Sequence, residues 1–159
     1  MTRSGAVVIA STRASAGIYE DRCGPVIVDW LHARNITTGP PVVVADGDGV
    51  AYALRDALAA APDVVITSGG TGISPTDATP QVTAALLDYE LPGLADAIRR
   101  AGLPHVPTSV LSRGVCGVAG RTLIVNLPGS LGGVRDGLSV LADVLDHALD
   151  QLHGEDHPR

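Results

Sequence analysis

The chain has 159 residues, of which 45% are apolar and only 3% aromatic, and its formal net charge is −6. This length favours a single domain, and the acidic balance disfavours general nucleic-acid binding, which needs a basic face. All 11 basic residues are arginines. A Walker A loop, Schiff-base catalysis and pyridoxal chemistry each require a lysine and are therefore excluded.

The cysteines and histidines give no sign of a metal site. Cys23 and Cys116 belong to no CxxC motif, and the five histidines lack HxxxH and HExxH spacings. Neither a disulfide framework nor a zinc site is expected. No apolar stretch approaches the ~18 residues of a membrane span, and no charged segment followed by an apolar one opens the sequence. We expect a cytoplasmic protein without membrane contact.

Short apolar runs rich in β-branched residues alternate with stretches of helical periodicity. For the first part of the chain this pattern predicts, in order, a strand over 5–11, a helix from an Asp21 N-cap to about Asn35, a strand over 41–45, a helix over 50–61 and a strand over 63–67. Pro25 suits the first turn of the first helix, and Pro62 ends the second.

The second part of the chain continues the alternation. It predicts, in order, a helix that Thr79 caps and Pro80 begins, a helix over 92–101, irregular structure with room for a short hairpin over 103–121, a strand over 122–127, and one last helix that Ser130 caps and that extends to Leu149. The segment from Gly154 onward predicts a flexible tail. We therefore assign residues 1–153 to one domain and residues 154–159 to the tail.

The alternation predicts an α/β fold, a single-domain, doubly wound, mostly parallel sheet with helices on both faces. Such folds bind ligands at the carboxyl ends of their strands. The residues that directly follow the predicted strands are therefore the candidates for a site, and they fall in four segments: 11–15, 46–48, 68–77 and 128–130.

Two of these segments are typical of anion-binding loops, SGGTG at 68–72 and PGS at 128–130. Glycines allow positive φ and close approach of the backbone, so that N–H groups gather around a phosphate at a helix N-terminus. A tight turn followed by a helix cap explains either loop alone, but two loops at one edge favour a ligand. The GxGxxG motif is incomplete because Ile73-Ser74-Pro75 follows Gly72, so a Rossmann dinucleotide site is not expected. The GxSxG motif is absent, so serine hydrolysis is not expected either.

Asp46 and Asp77 follow two of the predicted strands. A carboxylate beside a phosphate is unfavourable unless a cation lies between them, and Mg²⁺ is typically held by one or two carboxylates together with phosphate oxygens. The pair therefore suggests a nucleotide with Mg²⁺. Helix capping by Asp46 or Asp48, with turn capping by Asp77, is the alternative interpretation.

Four stretches carry a family resemblance: STRASAGIYEDRCGP, VVVADGDG, SGGTGISPTDATP and VPTSVLSRGVCGVAGRTLIVNLPGS. Together they resemble the Mog/MoaB family of molybdenum-cofactor biosynthesis over about residues 5–150. The resemblance implies a molybdopterin-binding fold and a homotrimer. It also implies adenylylation of molybdopterin by ATP with Mg²⁺, release of pyrophosphate, and contact with a molybdenum insertase.

The resemblance also assigns roles to residues. Asp46 and Asp77 fall on the family's two aspartates and are expected to be catalytic and to bind Mg²⁺. The residues expected to bind substrate or nucleotide are Ser11, Thr12, Arg13, Gly69, Gly70, Thr71, Gly72, Ser112, Arg113, Pro128, Gly129 and Ser130. Thr76 stands where the family often has an arginine, which Arg13 or Arg113 is a candidate to replace. Gly47 stands where an acid or amide usually follows the first aspartate.

The implied chemistry needs no protein nucleophile. A phosphate monoester has a second pKa of about 6, so the terminal phosphate of molybdopterin is largely ionised at neutral pH. Positioning, Mg²⁺ and aligned N–H donors then lower the barrier. Three other functions are compatible with the same fold: a carrier that binds molybdopterin without adenylylating it, a trimeric scaffold, and the molybdenum insertase, which is longer and multidomain.

Overall fold

A mostly parallel sheet runs through the centre of the protein, for which the computed structural model describes residues 2–154. Within these residues the sheet has seven strands: β1 (Arg3–Ala10), β2 (Ile36–Thr38), β3 (Val42–Val44), β4 (Val64–Ser68), β5 (Tyr89–Glu90), β6 (Cys116–Ala119) and β7 (Thr122–Leu127). Their order is β2-β1-β4-β7-β6-β5, and β3 pairs with β1 further along the edge that β2 occupies. The pairs that β1 and β4 form are parallel, whereas β6 is antiparallel to both neighbours.

Helices cover both faces of this sheet, which confirms the predicted fold class. They are α1 (Thr12–Ser15), α2 (Cys23–His32), α3 (Asp48–Ala59), α4 (Thr79–Ala84), α5 (Pro92–Arg100), α6 (Leu131–Ala142) and α7 (Leu145–Leu152), with a 3₁₀ helix at Pro107–Leu111. Side chains of a strand alternate between faces. Val7 and Ile9 accordingly pack with α2, α5, α6 and α7, whereas Val8 and Ala10 pack with α3.

The strands predicted over 5–11, 41–45, 63–67 and 122–127 are present to within two residues. No complete hairpin lies within 103–121: that segment contains β6, which forms a hairpin with β7, the strand predicted over 122–127. Arg22 is the N-cap residue of α2, one position after the predicted Asp21, and Asp21 Oδ1 accepts hydrogen bonds from the backbone N–H of Cys23 and Gly24 at 3.0 and 3.1 Å. Ser130 caps α6 by accepting from the N–H of Gly133 at 3.1 Å.

Two predictions about helices are wrong. The single last helix is two helices, α6 and α7, which are separated at Asp143 and Val144. The leucine periodicity hides this break because Leu141 and Leu145 on either side of it are both buried against the same face of the sheet.

The second wrong prediction concerns Thr79, which does not cap α4. Ala78 occupies the cap position, and Thr79 is the first helical residue with its side chain buried in the interior. The short strands β2 and β5, of three and two residues, were not predicted.

None of the helices in the described part of the chain is long and apolar enough to cross a membrane. Residues 155–159 of the predicted tail lie outside the described residues, as does Met1.

Candidate active site

The segments that follow β1, β3, β4 and β7 line two cavities that share a wall. The larger, of about 900 Å³, lies between the ends of β1 and β4, and we call it the β1-side cavity. The smaller, of about 470 Å³, lies between the end of β7, α5 and the start of α6, and we call it the β7-side cavity. Gly70 and Gly129 line both cavities. Ligands in the two cavities can therefore approach each other at these glycines.

The shared wall is built from the two glycine loops, which are bonded to each other. The Ser68 hydroxyl donates to the Pro128 carbonyl at 2.7 Å, and the Gly69 N–H donates to the Leu127 carbonyl at 3.1 Å. Gly69 and Gly70 have φ values of +94° and +67°, in the left-handed region that favours glycine. A Cβ on Gly69 would overlap the Ala10 carbonyl oxygen. Only glycine allows the loop to pass this close to β1.

The β1-side cavity holds the first group of predicted site residues. Ser11, Thr12, Arg13 and Asp46 all line it, together with Arg22. Thr12 fixes Asp46 twice, because its hydroxyl lies 3.1 Å from Asp46 Oδ2 and accepts the Asp46 backbone N–H at 3.2 Å. A carboxylate held in this way, with two guanidinium groups in the same cavity, suits a polyanion that arrives with a cation.

One oxygen of Asp46 is left without a protein partner. Asp46 Oδ1 is buried and forms no hydrogen bond with any residue from 2 to 154. A buried, unsatisfied polar group costs about 1–3 kcal/mol, and more when it is charged. No group of three or more His, Cys, Asp or Glu side chains among these residues is arranged to hold a metal. Mg²⁺, however, is commonly held by one or two carboxylates with substrate phosphates, and Asp46 fits that arrangement.

Asp77 lies on the other side of the glycine loop. It lines the β7-side cavity and not the β1-side cavity, and its Oδ2 lies 2.8 Å from the position that a Cβ on Gly72 would take. Its backbone N–H closes a turn onto the Ser74 carbonyl at 2.9 Å. The two aspartates predicted to act together thus belong to different cavities that share the Gly70 wall.

The β7-side cavity contains most of the second group of predicted residues. Those that line it, besides the shared glycines, are Thr71, Gly72, Ser112, Pro128 and Ser130. Two apolar side chains of the same cavity, Val106 and Leu111, are 48% and 49% exposed. Apolar side chains left exposed inside a cavity mark a place where a ligand can cover them.

Arg113 is the predicted site residue that lines neither cavity. Its Nε donates to the Gly72 carbonyl at 2.8 Å, its Nη2 to the Asp77 carbonyl at 3.0 Å, and its backbone N–H to the Thr71 carbonyl at 2.7 Å. These bonds tie residues 71–77 to the 112–114 segment. Arg113 therefore holds the glycine loop in place. Arg13 and Arg22 are the arginines that line the β1-side cavity.

A family model described as a probable molybdopterin binding domain matches residues 6–147, a range that includes every residue lining the two cavities. The chain belongs to this molybdopterin-binding family. The resemblance to Mog and MoaB proteins is thereby confirmed.

Other members of the molybdopterin-binding family are similar over most of the chain. A Helicobacter pylori molybdopterin adenylyltransferase is 35% identical over 93% of this chain and 86% of its own length. A molybdenum cofactor biosynthesis bifunctional protein of Synechococcus elongatus is 35% identical over 95% of this chain, which spans only 48% of that protein. The solved structure of a Mog protein from Mycobacterium ulcerans is 68% identical, has a TM-score of 0.92, and is matched over 94% of this chain and 99% of that one.

The sequence did not predict several of the residues that line the two cavities. Tyr19 and Arg22 enter the β1-side cavity from the segment between α1 and α2, and the Tyr19 hydroxyl lies 2.7 Å from the Ser11 hydroxyl. Arg99 and Asp136 enter the β7-side cavity from α5 and α6. The rule that ligands bind at the carboxyl ends of strands selects only residues that follow strands. It therefore does not predict site residues that lie on helices.

Proposed function

We propose that the protein is a molybdopterin adenylyltransferase that moves AMP from ATP, with Mg²⁺, to the terminal phosphate of molybdopterin. The observation that carries the proposal is the pair of cavities that meet at Gly70 and Gly129, each lined by one of the two predicted catalytic aspartates, Asp46 or Asp77. A transfer between two phosphate-bearing substrates needs two binding cavities whose phosphates meet at one point. The name of the Helicobacter pylori relative supports the same reaction.

The contents of the cavities suggest which substrate each takes. The β1-side cavity is the larger and contains Arg13, Arg22 and the unpartnered oxygen of Asp46, which suit a triphosphate and its cation. The β7-side cavity has exposed apolar side chains beside serines and threonines, which suit a flat heterocycle with a polar edge. We therefore assign ATP to the β1-side cavity and the pterin to the β7-side cavity.

In the proposed reaction an oxygen of the molybdopterin phosphate attacks the α-phosphorus of ATP. A new P–O bond forms, the bond between the α-phosphorus and the α–β bridging oxygen breaks, and pyrophosphate leaves with that electron pair. Mg²⁺, when bound, neutralises negative charge on the nucleotide phosphates. Asp46 would hold the cation from the ATP side, and Asp77 would hold a cation beside the incoming phosphate on the pterin side.

The glycine loops would contribute positioning rather than a reacting group. Because the Gly69 N–H already donates to the Leu127 carbonyl, Gly70 and the N-terminus of α6 would supply the backbone N–H groups at the wall where the phosphates meet. Phosphoryl-group transfer gains most of its catalysis from such placement and from charge stabilisation. From the family resemblance we further propose a cytoplasmic homotrimer that delivers its product to a molybdenum insertase.

The test is pyrophosphate release from ATP and Mg²⁺ with and without molybdopterin. We expect release that depends on molybdopterin, and Asp46→Asn should lower its rate at least about a hundredfold, because a lost electrostatic contact to the transition state costs that much. Asp48→Asn is the matched control, since Asp48 is the next acid along the chain and lines neither cavity. Molybdopterin binding without any pyrophosphate release would instead identify a carrier.

A further inference from the structure

Helix α6 brings one carboxylate, that of Asp136, into the β7-side cavity. The first turn of this helix contributes Ser130, Gly132 and Gly133 to the lining, and Asp136 follows one turn later. Residues three and four apart share a face of a helix. Gly132 leaves open space along this face, because a Cβ there would meet no atom within 4 Å, whereas Gly133 packs closely against Pro128.

The position of Asp136 is fixed by a close contact between two helices. Directly after it, a Cβ on Gly137 would lie 3.4 Å from the side chain of Ile98 on α5 and closer still to Leu127. Arg99 and Asp136 are the chain neighbours of Ile98 and Gly137 at this contact, and both line the β7-side cavity. Gly137 is buried, so this crossing point is part of the core.

The Asp136 carboxylate is partly buried and forms no hydrogen bond or ion pair with any residue from 2 to 154. Arg99, the basic residue of this cavity, is engaged elsewhere through Nη1, which donates to the carbonyl oxygens of Gly114 and Ser112 at 2.8 and 3.4 Å. A partly buried carboxylate gains most from a ligand that offers two N–H donors side by side.

A pterin has such an edge, since its N3–H and 2-amino groups point in the same direction. We propose that Asp136 recognises this edge and so determines the specificity of the β7-side cavity for a 2-aminopteridinone. Val106 and Leu111 then cover a face of the ring, and the substituent that carries the phosphate points past Gly132 toward Gly70 and Gly129. This inference rests on the proposed function, because it assumes that the pterin occupies this cavity.

The experiment compares two fluorescent probes, 6-hydroxymethylpterin and 6-hydroxymethyllumazine, which differ only in the group at position 2. The pterin presents two donors to Asp136, whereas the lumazine presents one donor and one carbonyl oxygen that a carboxylate repels. The wild-type protein should bind the pterin at least about tenfold more tightly, because hydrogen bonds to charged groups are worth that much. Fluorescence titration measures both dissociation constants.

Asp136→Asn gives the decisive variant, because an amide presents one acceptor and one donor. It should lose pterin affinity about tenfold and bind the lumazine at least as tightly as the pterin, so that the preference disappears or inverts. Asp143→Asn is the matched control, since Asp143 is exposed at the other end of α6 and should leave the preference unchanged. Thermal unfolding of each variant separates lost folding from lost recognition.

The outcomes distinguish this inference from the proposed function. If the wild type binds the two probes equally, or binds neither, or if Asp136→Asn keeps the wild-type preference, the inference is wrong even where pyrophosphate release is normal. If Asp136→Asn inverts the preference but the wild type releases no pyrophosphate, Asp136 recognises the pterin and the protein is a carrier. The inference then holds and the proposed function is wrong.

Discussion

Asp46 and Thr79 direct their unpartnered side-chain oxygens at the same glycine, Gly70. Among the described residues, Asp46 Oδ1 and Thr79 Oγ1 are the two buried side-chain oxygens or nitrogens without a hydrogen-bond partner. Both lie within 2.8 Å of the position that a Cβ on Gly70 would take. The wall between the two cavities thus contains two unsatisfied oxygens. These oxygens make the free energy of folding less favourable.

Replacement of Thr79 by valine should stabilise the unliganded protein. The Thr79 side chain is fully buried, so Thr79→Val removes a hydroxyl without a partner while it keeps the shape of the side chain. We expect the free energy of unfolding to rise by about 1 kcal/mol, since that is the lower end of the cost of an unsatisfied buried group. Urea unfolding at constant pH measures the change.

Thr83→Val is the matched control, because the buried Thr83 hydroxyl accepts a hydrogen bond from Asn126 Nδ2 at 3.1 Å. This variant should be destabilised by about 1 kcal/mol. If Thr79→Val is destabilised to the same degree, the Thr79 hydroxyl has a hydrogen-bond partner in solution. Asp46 is then the candidate, because its Oδ1 lies beside the same glycine.

Gly70→Ala should damage the wall between the cavities. An added Cβ would overlap the Thr79 hydroxyl and lie 2.8 Å from Asp46 Oδ1, at a residue whose φ of +67° already disfavours a side chain. Backbone strain of this kind costs about 1–3 kcal/mol. We expect the free energy of unfolding to fall by that amount, together with a loss of affinity for a fluorescent ATP analogue.

Gly132→Ala tests whether the effect is specific to the wall. A Cβ on Gly132 would meet no atom within 4 Å, and the residue is helical. Alanine at such a position should stabilise the protein by about 0.5–1 kcal/mol. Equal losses in both variants would show that the Gly70 contacts have no special cost.

The layers of the fold follow from local patterns that a sequence displays. The apolar run of β1 and the valine run of β3 predict strands because short runs of β-branched residues are visible in the sequence itself. The short strands β2 and β5 carry too few residues for any period to appear. The break between α6 and α7 is hidden because one buried stripe continues across it.

The site was predictable only in part, for a related reason. Strand ends indicate Ser11, Asp46 and the two glycine loops, because topology brings all of them to one edge of the sheet. Topology alone does not show that Asp46 and Asp77 face different cavities, which depends on how the loop turns at Gly70. Asp136 lies in mid-helix, where a carboxylate usually means a solvated surface.

The stability of the protein should fall in alkaline solution because of Cys116. Burial raises the pKa of this thiol from its ordinary value of 9.0 to about 12. Above pH 9 the unfolded chain loses the thiol proton while the folded protein keeps it, so the unfolded state is favoured as the pH rises. The contribution is intact below pH 9 and is lost at about 1.4 kcal/mol per pH unit until about pH 12.

Urea unfolding of the wild type and of Cys116→Ala between pH 8 and pH 10.5 checks this dependence. The variant is expected to be less stable throughout, because it leaves a small cavity, but its stability should decline less steeply above pH 9. Burial also raises the pKa of Cys23, so Cys23→Ala should reduce the slope in the same direction. Identical slopes in wild type and Cys116→Ala would show that the thiol ionises freely in the folded protein.

Arg13 and Arg113 are both candidates for the positive charge that is missing at Thr76. Their variants should nevertheless differ in kinetics. Arg13 lines the β1-side cavity, so Arg13→Gln should raise the KM for ATP about tenfold and leave the free energy of unfolding unchanged. Arg113 instead bonds the carbonyl oxygens of Gly72 and Asp77. Arg113→Gln should therefore lower the free energy of unfolding by about 1–3 kcal/mol and impair binding in both cavities.

Arg113→Lys separates charge from hydrogen-bond geometry at the same position. Lysine keeps the positive charge but lacks the planar fork that donates to two carbonyl groups at once. If Arg113 acts by holding the loop, the lysine variant should resemble Arg113→Gln in both stability and KM. If it acts as a charge toward the phosphates, lysine should restore the KM for ATP while the stability stays low. The structure favours the first result, because both bonds of the Arg113 guanidinium end on the backbone of the 72–77 segment.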